Sequence, residues 1–141
     1  MTGVQTCALP ILADTGQTLS YRELDDRSNQ VAQLFRVLGL QSGDHIALML
    51  ENQSRYFEIC WGAHRAGLVY TAMSTRLTEG EASYIVNDCG AKAVISSRAM
   101  ASAVAHLPAA CPGVGHWLML DTGSDGGGAA GWSAYEPAVS A

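Results

Sequence analysis

His45-Ile46-Ala47-Leu48-Met49-Leu50, bounded by Gly43-Asp44 before it and Glu51-Asn52 after it, is a continuous apolar run. A strand with one wet face alternates apolar and polar residues. A run without alternation is expected of a strand covered on both faces, as the strands of parallel sheets are. Its neighbours decide whether such a sheet is available.

On the N-terminal side the pattern has helical period from Ser20 onward. Leu24, Val31, Leu34, Phe35 and Leu38 fall on one stripe, while Arg22, Asp25, Asp26 and Gln30 face away. Ser20-x-x-Glu23 is a capping box, in which the hydroxyl accepts from an orphan backbone N–H and the glutamate accepts in return, and Gly39 supplies a left-handed stop.

On the C-terminal side a second helix is expected from about Ser54 to Ala66, burying Phe57, Trp61 and their neighbours and ending at Gly67. Leu68-Val69-Tyr70-Thr71-Ala72 reads as the next strand. A third helix opens on a second capping box, Thr78-x-x-Glu81, presents Ala82, Ile85, Val86 and Cys89 inward, and stops at Gly90. Lys92 to Ser96 is then a strand, Arg98 to Leu107 a short Ala-rich helix, and His116 to Leu120 the final strand. Strands alternating with helices imply right-handed crossovers over a mostly parallel sheet flanked by helices, an α/β fold.

The expected organisation is an α/β layer over residues 12–121, a Gly-rich loop over 122–131, and over 132–141 the start of a helix limited by Pro137 and cut short. Residues 1–11 are expected to be a non-native leader, because Val4-Gln5-Thr6-Cys7-Ala8-Leu9-Pro10-Ile11 resembles a translated sequencing-adapter read-through.

With 141 residues, 48% of them hydrophobic and 15% charged, the chain has the material for one ordinary core. Thirteen acids oppose seven arginines and the single lysine Lys92, a net charge of −5 with no basic run. That excludes the clustered cations that meet nucleic acid or an anionic membrane surface. Cys7, Cys60, Cys89 and Cys111 form no Cys-x-x-Cys pair, so a reduced, cytoplasmic protein is expected. No apolar stretch is long enough to make a transmembrane segment, and the first residues lack the basic start of a signal peptide.

Few residues suggest chemistry. Gly126-x-Gly128-x-x-Gly131 satisfies the dinucleotide fingerprint in form, but that motif should turn directly from a strand into a long helix, and here it follows the strand at a distance in low-complexity glycine. His45, His64, His106 and His116 lack metal-ligand spacing. Cys60 and Cys89 sit on inward helical stripes, where a small apolar residue packs. Asp25, Asp26, Glu79 and Glu81 lie near helix starts and complement the helix dipole. Arg76, just past a strand end, is expected in a structural ion pair before a substrate contact.

Leu19-Ser20-Tyr21-Arg22-Glu23-Leu24, followed by Arg27, Asn29 and Val31-Ala32, resembles the first core motif of the adenylate-forming (AMP-binding) enzyme superfamily. The likeness continues through Gly43-Asp44, Asn52, Ala66-Gly67, Tyr70-Thr71, Arg76-Leu77-Thr78, Tyr84-Ile85-Val86 and Asp88-Cys89-Gly90-Ala91-Lys92 to the tail Trp132-Ser133-Ala134-Tyr135-Glu136. It is nearest the fatty-acyl-CoA synthetase branch: Arg65, Ala72 and Ser74 stand where amino-acid adenylation domains favour Lys, Pro and Asp.

The resemblance implies the N-terminal part of a ligase's large domain. In the parent enzyme so implied, a fatty acid carboxylate would attack the α-phosphate of ATP with Mg²⁺, releasing diphosphate and giving an acyl-adenylate, from which the thiol of coenzyme A would displace AMP. The family's phosphate loop, adenine segment, ribose aspartate and catalytic lysine have no counterpart in this sequence, and Lys92 matches a structural position. No catalytic, cofactor-binding or metal residue therefore carries over, and this chain by itself is expected to bind none of these cofactors and to be inactive. The alternatives are part of an amino-acid adenylation domain or a non-catalytic interaction module.

Overall fold

A computed structural model describes residues 15–123 and 130–140, so the expected leader and most of the Gly-rich loop, including Gly126 and Gly128, lie outside the described residues. Helix α1 spans Tyr21–Val37, strand β1 His45–Met49, α2 Arg55–Arg65, β2 Val69–Ala72, α3 Glu79–Asp88 and β3 Ala91–Ser97. A 3₁₀ turn, Arg98–Met100, leads into α4, Ala101–Val104, and α5, Leu107–Ala110; β4, His116–Leu120, β5, Ser133–Ala134, and α6, Tyr135–Ser140, complete the described chain.

Both expected capping boxes form. Ser20 Oγ accepts from Glu23 N at 3.1 Å while Ser20 N donates to Glu23 Oε2 at 2.8 Å, and Thr78 with Glu81 repeats the arrangement. The backbone bond from Ser20, and that from Thr78, holds its glutamate below the usual carboxylate range. Gly39, Gly67 and Gly90 end their helices at φ of +82°, +76° and +66°, a backbone region that an L side chain rarely adopts.

The five strands are ordered β2-β1-β3-β4-β5 and every pairing is parallel. The apolar run of β1 divides between two cores as a strand's alternation requires. Ile46, Leu48 and Leu50 point to the face covered by α1, α2 and α6, with Val31, Phe35, Ile59 and Tyr135. Ala47 and Met49 point to the face covered by α3, α4 and α5, with Ala82, Val86, Val104 and Leu107. Each fully buried aliphatic side chain contributes roughly 1.5–3 kcal/mol relative to exposure.

Helices α1 and α2 approach closely because Gly62 leaves room. A Cβ built there would lie 2.5 Å from Val31 Cγ1 and 3.1 Å from the Ser28 carbonyl oxygen.

Three expectations change. Phe57 and Trp61 are 43% and 47% exposed, not buried. The buried stripe of α2 is Glu58, Ile59, Gly62 and Ala63 facing α1 and the sheet, and Phe57 and Trp61, one helical turn apart, form the adjoining stripe. The Arg98 to Leu107 helix is broken into a 3₁₀ turn and single-turn α4 and α5, where Pro108, with no N–H to donate and a ring that restricts Leu107, starts a separate turn. The 132–141 stretch is not simply the start of a helix, nor is β4 the final strand: Ser133 and Ala134 pair with Leu118 and Met119 before α6 begins.

Candidate functional site

From β1 the chain crosses outward to β2, then returns past β1 to β3 on the other side. Open α/β sheets take ligands outside the strand C-termini at such a reversal. The elements meeting there are the end of β1 with the start of α2, the end of β3, and the end of β4.

Each contributes a polar group already engaged. Glu51, just past β1, accepts from the fully buried Ser97 Oγ and from Gln53 Nε2 at 2.8 Å. Ser96 Oγ donates to the Met49 carbonyl at 2.8 Å. Arg98 donates to the Thr122 carbonyl at 3.3 Å. Arg55, in the first turn of α2, donates to Asp121 Oδ1 at 2.6 Å, and Asp121 sits at φ +60°, which among side-chain residues Asp and Asn tolerate best.

Deeper along α2, Glu58 is 3% exposed and would be costly to bury as an isolated anion. Arg27 from α1 supplies a two-pronged partner, Nε to Oε2 at 3.1 Å and Nη2 to Oε1 at 3.0 Å, and Tyr135 from α6 donates its hydroxyl to Oε1 at 2.8 Å. Arg27 Nη2 also reaches Glu136 Oε2 at 3.0 Å, and Glu136 is shared with Arg55. The hydrogen bond with Glu58 pushes the Arg27 guanidinium up despite its partial burial. Burial first, then the Glu58 charge, pushes the Tyr135 phenol far above its ordinary range. Burial lowers Arg55, but the charges of Glu136 and Asp121 outweigh it and the net shift is upward. The open polar depression bounded by Glu23, Arg27, Arg55, Glu58, Asp121 and Glu136 has a volume of about 550 Å³.

A second concavity of about 700 Å³ lies across α2 and β2, walled by Tyr56, Phe57, Cys60, Trp61 and Tyr70. It is mainly apolar. Burial pushes the Cys60 thiol up, which keeps it protonated and a poor nucleophile. Cys111 is fully buried and shifted the same way by burial.

The residues weighed from sequence are not brought together. His45 and His116 open β1 and β4, His64 lies near the end of α2, and His106 Nε2 meets the Glu79 carbonyl at 2.9 Å. Among the described residues no three His, Cys, Asp or Glu side chains could hold a metal ion. Lys92 pairs with Asp44 at 2.7 Å at the opposite, N-terminal end of the sheet. Arg76 is exposed and makes no ion pair among the described residues, contrary to expectation; its backbone N–H donates to Ser74 Oγ at 3.2 Å. Asp25 pairs with Arg65 of α2. Glu58 was the missed residue. Its signal was a lone acid beside the apolar positions Ile59 and Ala63, with Arg27 one turn before Val31 on the facing helix.

Residues 2–133 match the family described as "AMP-binding enzyme". A fatty acid–[acyl-carrier-protein] ligase, ScoC, from Streptomyces coeruleorubidus is 32% identical over 103 residues, covering 73% of this chain and 20% of that protein. A crotonobetaine/carnitine–CoA ligase from Proteus mirabilis is 38% identical over 79 residues, 55% of this chain and 15% of the ligase. The crystal structure of the anthranilate CoA ligase AuaEII with anthranoyl-AMP superposes with a TM-score of 0.84 at 18% identity, covering 97% of this chain and 26% of that one. The chain thus spans about a fifth or less of the length of these curated relatives.

Proposed function

Because the chain belongs to the AMP-binding enzyme family, we propose that it is the N-terminal part of an ATP-dependent acid–thiol ligase of the fatty-acyl-CoA synthetase branch. The match of residues 2–133 to the family supports the adenylate-forming part of this reading. Arg65, Ala72 and Ser74, at positions where amino-acid adenylation domains favour Lys, Pro and Asp, support the fatty-acyl branch over that alternative.

Arg27, Arg55 and Lys92 do not fit a nucleoside triphosphate. Arg27 and Arg55 at the strand C-termini are each committed to two carboxylates, and Lys92 stands at the other end of the sheet. No step of the reaction is assigned to them. The part of the described residues is to form a sheet layer and to hold its C-terminal edge, where Arg27 and Arg55 meet Glu58, Asp121 and Glu136, as a support for the parent enzyme's reactive groups.

The 141-residue chain, incubated with ATP, Mg²⁺ and a fatty acid, is expected to release no diphosphate above a boiled control. The longer reading frame is expected to release diphosphate when a fatty acid is added and not when amino acids are. Diphosphate release driven by amino acids alone would overturn the fatty-acyl branch, and release by the short chain would overturn the supporting role.

A further inference from the structure

We propose that residues 132–140 are a strap, fastened over the C-terminal edge of the sheet by Trp132, Tyr135 and Glu136, and able to open as a unit while β1 to β4 stay folded.

The strap has almost no structure of its own. Strand β5 is two residues and α6 six, with Pro137 in its first turn. Isolated helices shorter than about 12–15 residues are marginal in water. Its position is therefore imposed by distant partners. Trp132 sets its indole edge-on to Trp117, ring centres 5.1 Å apart at 62°. Tyr135 is fully buried against Glu58 of α2, Val139 enters the same core, and Glu136 lies between Arg27 and Arg55.

What remains when the strap leaves is the decisive feature. Arg27 keeps the two-pronged pair with Glu58, and Arg55 keeps Asp121. Each arginine retains one carboxylate, so the base stays charge-balanced and no buried ion is stranded. The strap instead adds a third acid, Glu136, which both arginines share. Opening also bares the edge of β4 and the face of α2 that carries Glu58. The strap is thus a cover whose charge the base does not need, seated by Tyr135 and Val139 in one apolar core and by Trp132 in the other.

Native-state hydrogen exchange at low urea, read by mass spectrometry on the unmodified chain and on Glu136→Gln, tests this. In the unmodified chain the amides of 133–140 should exchange at least about tenfold faster than those of β1 and β3, through a smaller opening. Glu136→Gln should speed exchange in 133–140 by about fivefold or more and leave β1 and β3 within about twofold. Strap amides that track β3 at every urea concentration would overturn the proposal, as would a substitution that accelerates both regions alike. If the variant does not fold, the unmodified chain decides alone.

Discussion

The two edges of the sheet are closed in opposite ways. At one edge β2 contributes Val69 and Tyr70, strong strand formers, yet they are 46% and 44% exposed, and Phe57 and Trp61 of α2 stand open beside them. At the other edge β5 is only Ser133 and Ala134, yet the chain around it buries Trp132 and Tyr135 almost completely. The less apolar strand has the better-sealed edge. What seals an edge is a segment that returns across it and finds partners already placed, and β5 has that in Arg27, Arg55 and Glu58.

The largest test of that contrast removes the base of the sealed side. Glu58→Ala leaves Arg27 with Glu136 alone and the Tyr135 hydroxyl without its acceptor. Breaking a buried pair by deleting one partner costs about 3–5 kcal/mol; Arg27 is about a quarter exposed, so roughly 3 kcal/mol is expected here, read as a fall in the urea midpoint. A loss below about 1 kcal/mol would mean that the apolar contacts of Trp132 and Val139 seal this edge unaided.

Gly62→Ala probes the helix the two edges share. Propensity alone favours alanine by about 1 kcal/mol in a helix. The new methyl group would meet Val31 Cγ1 at 2.5 Å and the Ser28 carbonyl oxygen at 3.1 Å, so α1 and α2 must separate and a net loss of about 2 kcal/mol is expected. Gly80→Ala in α3, with nothing within 4 Å of its Cβ, is the control and should be neutral or stabilising in the same urea titration.

Tyr135→Phe keeps the ring and removes one hydrogen bond, for about 1 kcal/mol. It should also change how stability depends on pH. Burial, the Glu58 and Glu136 charges and the hydrogen bond to Glu58 all hold the Tyr135 phenol neutral, and only Arg27 opposes them. The unfolded chain ionises this group near the ordinary value of about 10, before the folded chain does. The contribution is therefore complete below that pH and is lost progressively as the pH rises from it toward the folded chain's higher value. Urea midpoints from pH 8 to 11 should fall more steeply for the unsubstituted chain than for Tyr135→Phe. Equal slopes would remove Tyr135 as an alkaline-sensitive group.

These residues also mark what was legible in the sequence. The starts of α1 and α3 and the ends of α1, α2 and α3 were, because Ser20 with Glu23 and Thr78 with Glu81 are local devices and Gly39, Gly67 and Gly90 are local stops; the Arg98 to Leu107 stretch, with no such device, was not. The parallel sheet was, because an unbroken apolar run can be covered only from both sides. Coverage of particular faces was not. Phe57 and Trp61 satisfy a helical stripe as well as Ile59 and Ala63 do, and only the placement of α1 decides which stripe is buried. The cluster joining Arg27, Glu58 and Glu136 spans 109 residues of sequence, so no window of periodicity contains it. Trp132-x-x-Tyr135-Glu136 was visible as a likeness to the family, but its physical meaning, three anchors on Trp117, Glu58 and the arginines Arg27 and Arg55, needed the fold.

The smallest effect on stability is expected at the open edge. Val69→Lys places a charge on a strand whose outer side has no hydrogen-bonding neighbour among the described residues. With nearly half of Val69 already in solvent, the change should alter the urea midpoint by no more than about 0.5 kcal/mol. Its larger effect belongs to association, since lysine on an unpaired edge disfavours strand addition by another molecule. Sedimentation should show less self-association for Val69→Lys than for the unsubstituted chain at equal concentration, with melting unchanged. A loss of stability above about 1 kcal/mol would show that Val69 is packed as firmly as the residues around β5, and the contrast between the two edges would then fail at its more exposed side.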